Sequence, residues 1–67
     1  MITLTEQIAE AQRELALRRK VYPALVKNGK LDMTTAPYQL QAMEDIVKTL
    51  ERLEVAQRQL PLFGTGA

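Results

Sequence analysis

The residues of this 67-residue chain that could do chemistry form three sets: a basic run, scattered carboxylates, and an apolar C-terminal segment. The basic run is Arg18-Arg19-Lys20, with Arg13, Lys27 and Lys30 around it. Between Arg13 and Lys30 there are six bases against one acid, Glu14, although net charge is only +1. Clustered cations can displace counterions from a nucleic-acid backbone, and the residues for that reading are Arg13, Arg19, Lys20, Lys27 and Lys30. Three consecutive helical residues point about 100° apart, however, so the run forms no single flat patch. The competing reading is a solvated face paired with Glu14 and with acids of the second half, such as Glu44 or Glu51 for Arg18.

The carboxylates Glu10 and Glu14 share a helix face, and Glu44 and Asp45 are adjacent. A di-metal helix bundle needs inward Glu residues plus Glu-x-x-His motifs. The chain has no histidine and no cysteine, so the commonest general base, thiolate chemistry and disulfides are all absent. The glycines match no phosphate-binding fingerprint. These observations point away from catalysis, bound metal and cofactors. Nothing at the N-terminus resembles a secretion signal, and no apolar run approaches the roughly 20 residues that span a bilayer, so a cytoplasmic setting is expected.

The third set is Gln59-Leu60-Pro61-Leu62-Phe63, which holds the only phenylalanine. Pro61 is expected to end the preceding helix near residue 58, leaving 59–67 extended. An apolar tail of this kind either straps back onto Ile2 and Leu4 or is offered to a partner.

Helices must position all three sets. Leu4, Ile8, Ala11, Leu15, Tyr22 and Leu25 recur at alternating steps of four and three, with Arg18 in the gap. Thr3 with Glu6 has the spacing of a capping box. Asn28-Gly29 is a stop signal, which predicts a first helix over 3–27 that kinks or splits at Pro23. Tyr22 and Tyr38 are expected to pack together under that bend. Thr34 should cap a second helix over 34–58, with Pro37 in its first turn. Its stripe reads Leu40, Met43, Ile46, Val47, Leu50, Leu53 and Leu60. Glu44/Lys48 and Glu54/Arg58 have the favourable i,i+4 order.

The predicted fold is all-α: an antiparallel two-helix hairpin over 1–58 with a C-terminal peptide over 59–67. Two helices bury only one seam, and Ala9, Leu17, Val21 and Val47 fall off the best one. A homodimer forming a four-helix, coiled-coil-like bundle is therefore expected, because so short a chain needs a further source of burial.

Two resemblances add to this reading. Gln59-Leu60-Pro61-Leu62-Phe63 resembles the bacterial sliding-clamp-binding pentapeptide, written Q-L-S/D-L-F, at four of five positions. The departure is Pro61, at that motif's tolerant middle position. The resemblance implies that Gln59 hydrogen-bonds at the rim of the clamp cleft, Leu60 fits a shallow groove, and Leu62 and Phe63 fill the deep pocket. Residues 14–50 also resemble a family of small phage and prophage proteins, through Glu14, Arg18, Val21, Tyr22, Pro23, Val26 and Gly29, then Met43, Ile46, Thr49 and Leu50. That family carries no established activity, so the likeness implies origin rather than mechanism, and a phage origin fits a host-interaction role. A non-enzymatic adaptor for the sliding clamp is the leading expectation. The alternatives are a nucleic-acid-binding hairpin and a module that grips a host regulator through a helix face.

Overall fold

The computed structural model describes residues 1–64, with side chains described through Gln59. Two helices, α1 (Leu4–Lys27) and α2 (Thr35–Gly64), pack against each other as a hairpin, and no strand occurs among the described residues.

The start of α1 follows from Thr3 and Glu6. The Thr3 hydroxyl accepts from the Glu6 amide at 3.1 Å, and the Thr3 amide donates to the Glu6 carboxylate at 2.9 Å. Two of the four donors that a helix start leaves unpaired or exposed are thus satisfied reciprocally. These hydrogen bonds from the Thr3 amide and hydroxyl hold the Glu6 carboxyl below its ordinary value. Pro23 lies inside α1, which continues as one helix to Lys27. The turn beyond Pro23 is secured at its end. The Gly29 amide donates to the Val26 carbonyl at 3.1 Å and the Lys30 amide to Leu25 at 2.8 Å, which is the Schellman pattern. Gly29 makes this possible at φ +72, where an L side chain would be strained.

The cap of α2 differs from the expectation of Thr34. Asp32 supplies it: its carboxylate accepts from the Thr34 amide at 3.0 Å and the Thr35 amide at 3.1 Å. A carboxylate two and three residues ahead of those donors has the geometry of an N-cap, and its charge also suits the positive end of the helix.

The core consists of Ile8, Ala11 and Leu15 from α1 with Ala36, Met43 and Val47 from α2. Leu40 and Leu50 pack against it. The α2 seam is therefore rotated from the expected stripe. Val47, expected off the seam, is 7% exposed, whereas Ile46 and Leu53 are each 47% exposed. The sequence of α2 contains two adjacent apolar stripes, and a two-helix contact has room for one. Choosing Met43 and Val47 turns Glu44 toward Arg19, at 2.8 Å, and Glu51 toward Gln12, at 3.0 Å. Tyr38 is turned out and 73% exposed instead of packing on Tyr22. The Tyr22 hydroxyl donates to the Gln39 side chain at 3.1 Å.

The end of α2 is also different. The helix runs to Gly64 and does not stop near residue 58. Proline's fixed φ is itself helical; what Pro61 removes is the amide that would donate to the Gln57 carbonyl. Close to a helix end that carbonyl can face water, so the backbone carries on as helix.

Candidate functional site

The hairpin separates the residues that the sequence places in one basic region. Arg13 is paired with Glu10 and Arg19 with Glu44. Arg18 reaches neither Glu44 nor Glu51. It donates to Glu14 at 2.8 Å and to the Gln39 carbonyl at 3.1 Å, with its guanidinium 6.0 Å from the centre of the Tyr22 ring. The reason is position: Arg18 lies on the Tyr22–Gln39 flank of the seam, while Arg19, one residue on, lies on the Glu44 flank. Glu44 is consequently engaged by Arg19, and Glu54 pairs with Arg58 at 3.0 Å as its spacing predicts. Arg13, Lys20 and Lys27 recur every seven residues along the outer edge of α1, away from Arg19. The five candidate cations therefore form no common surface. Lys20, Lys27 and Lys30 are exposed, and both arginines of the set are held by carboxylates.

The carboxylates Glu10 and Glu14 are likewise committed to Arg13 and Arg18. Among the described residues no group of three His, Cys, Asp or Glu side chains could hold a metal ion. An open apolar notch of about 290 Å³ lies at the hairpin tip, lined by Tyr22, Pro23, Val26, Met33, Pro37 and Leu40 among others. It contains no charged side chain, so it offers shape and apolar contact but no acid–base chemistry.

The C-terminal segment is placed by the unequal helix lengths. Moving toward the open end, the cross-hairpin contacts are Arg19–Glu44, Gln12–Glu51 and finally Thr5–Glu54, the last at 2.6 Å. α1 begins one residue before Thr5, whereas α2 continues ten residues past Glu54, from 55 to 64. In the register of the Arg19–Glu44 and Gln12–Glu51 contacts Leu4 stands level with Gln59, so at 1.5 Å per residue α2 projects about 7 Å past the start of α1. The projecting part is 60–64, which holds all of the pentapeptide but Gln59. Gln59 is exposed. The side chains of Leu60, Pro61, Leu62 and Phe63 lie outside the described residues. Ile2, to which a folded-back strap would attach, is 55% exposed, and Met1 is fully exposed.

No family model, curated protein or solved structure matches this chain. No helix among the described residues is long and apolar enough to cross a membrane.

Proposed function

We propose that the chain is a non-enzymatic interaction protein of phage or prophage type, which docks Gln59–Phe63 in the peptide-binding cleft of the bacterial sliding clamp. The observation that carries the proposal is the coincidence of the clamp-like pentapeptide with the C-terminal end of α2, beyond Glu54, whose bond to Thr5 is the last cross-hairpin hydrogen bond among the described residues. A segment beyond its own hairpin can enter a cleft without opening the core. Docking as an extended peptide requires the last turn and a half of α2 to unwind. Pro61 favours this step, because the hydrogen bond to the Gln57 carbonyl is already missing. Its fixed φ also limits the entropy lost when the peptide is captured.

The test is a binding isotherm of the full chain and of a Leu62→Ala/Phe63→Ala variant on purified clamp. The expected result is binding by the native chain and at least tenfold weaker binding by the variant. Equal affinities, or no binding by either, reject the proposal. Duplex DNA run in parallel separates the nucleic-acid reading. Affinity that falls steeply with salt and is lost in Arg19→Ala/Lys20→Ala would put the activity in the basic region instead.

A further inference from the structure

The rotated α2 seam leaves a second apolar stripe uncovered. Ala42, Ile46 and Leu53 follow it along α2, at steps of four and seven. Leu17 and Val21 follow a matching stripe on α1, four residues apart. Leu17 is 53% exposed, Ile46 and Leu53 are each 47% exposed, and Val21 and Ala42 are half-buried. The cross-hairpin contacts place the two stripes at the same height along the hairpin. Arg19 faces Glu44 and Gln12 faces Glu51, so positions whose numbers have the same sum stand level with one another. Leu17 and Ile46 have that sum, at mid-length of the hairpin. They flank the side of the seam opposite the Arg19–Glu44 and Gln12–Glu51 contacts. One broad face of the hairpin therefore carries the Arg19–Glu44 and Gln12–Glu51 contacts, while the other carries these apolar residues beside the Arg18–Glu14 pair and the Arg18–Gln39 hydrogen bond.

We infer that this Leu17–Ile46 face is covered by a second copy of the same chain, giving a four-helix bundle. Surface area supports that occupant. A compact monomer of 7.6 kDa should expose about 4,300 Å². The chain exposes 5316 Å² and measures 57 × 20 × 16 Å. The excess is about 1,000 Å² over the whole chain, its C-terminal residues included, and a standard interface takes roughly 800 Å² from each partner. Core depth supports it as well. Six hydrophobic residues are buried, and no side chain among the described residues falls below 2% exposure. A chain of this length gains from a partner that completes its core. The face is also electrostatically suited to meet itself. Glu14, the carboxylate beside Leu17 and Val21, is already neutralised by Arg18 at 2.8 Å, so two copies bring no unpaired like charges together there.

Sedimentation equilibrium at about 100 µM, a hundredfold above a micromolar Kd, tests the inference on the full-length chain. The expected mass is twice the 7.6 kDa chain mass. Leu17→Glu/Ile46→Glu should halve it, while Val55→Glu, on the opposite flank at 48% exposure, should leave it unchanged. A monomeric native chain overturns the inference, as does a dimer that survives the double variant or is lost with Val55→Glu. Isotope-filtered NMR on a mixture of labelled and unlabelled native chains decides the point without relying on a variant that must fold. Intermolecular contacts from the Ile46 and Leu17 methyl groups are expected, and their absence overturns the assignment of this face. Neither measurement involves the clamp, so the dimer and the pentapeptide stand or fall separately.

Discussion

Removing the Asp32 carboxylate tests the hairpin at the point where its second helix begins. Asp32 accepts the Thr34 amide at 3.0 Å, the Thr35 amide at 3.1 Å and, more weakly, the Thr35 hydroxyl at 3.4 Å. In Asp32→Ala those two amides are left to water, and a negative charge is removed from the positive end of α2. Loss of an N-cap of this type costs about 1 kcal/mol, within a range of roughly 0.5–2 kcal/mol. The charge accounts for about 0.3–1 kcal/mol of such an effect, so Asp32→Asn, which keeps the acceptor, should recover most of the loss. Thr34→Ala should be nearly neutral, within about 0.5 kcal/mol, because Thr34 contributes its amide to the cap and the substitution keeps that amide. For a chain of this length the unfolding entropy at the midpoint is about 0.14 kcal/mol/K, so 1 kcal/mol corresponds to a fall in Tm of about 7 °C. Thermal unfolding followed by circular dichroism resolves that shift, provided every variant is measured at one chain concentration. A Thr34→Ala loss equal to that of Asp32→Ala, or an Asp32→Ala variant as stable as the native chain, would refute the assignment of the cap.

Two further measurements address α1. Gly29→Ala should destabilise by about 1–2 kcal/mol in urea unfolding, because φ +72 is unfavourable for an L residue although the space around its Cβ is open; an unchanged midpoint would contradict the Schellman end. Glu6 has a folded-state pKa lowered from 4.5 by hydrogen bonds from Thr3, so its contribution to stability is present above the unfolded value and lost as pH falls through the folded value. The native chain should therefore exceed Glu6→Ala in stability at pH 6, with the difference shrinking below pH 4.5, and an NMR titration placing the Glu6 carboxyl at or above 4.5 would contradict the capping box.

Much of the hairpin is legible in local sequence because local sequence is what decides it. Thr3 and Glu6 are three residues apart, and Asn28-Gly29 directly follows the last periodic turn, so both ends of α1 are set by interactions that span at most six residues. The cap of α2 was less legible. Thr34 and Asp32 are both good N-cap residues, and which one serves depends on how Leu31–Met33 crosses the hairpin tip. The candidate site was legible as a motif at 59–63 but not in its setting. Pro61 reads as a helix terminator, yet at the open end of a helix the cost is one unpaired carbonyl facing solvent, so α2 is not obliged to stop there. The basic region was legible as composition only. Its separation into Arg19 against Glu44 and an outer line of Arg13, Lys20 and Lys27 depends on which way each helix is turned.

The amino-acid sequence by itself determined two helices, the extent of the first, the reversal between them and the apolar pentapeptide at the end of the second. Period, caps and breakers act over a few residues, so no distant contact is needed to read them. Tertiary packing decided which of two neighbouring stripes on α2 became the core. Met43 with Val47 and Ile46 with Leu53 are similarly apolar, and periodicity alone does not rank them. The choice is made across the hairpin, where turning Met43 and Val47 inward brings Glu44 to Arg19 and Glu51 to Gln12. The same rotation leaves Ile46 and Leu53 on the surface beside Leu17, and so creates the face assigned here to a second copy.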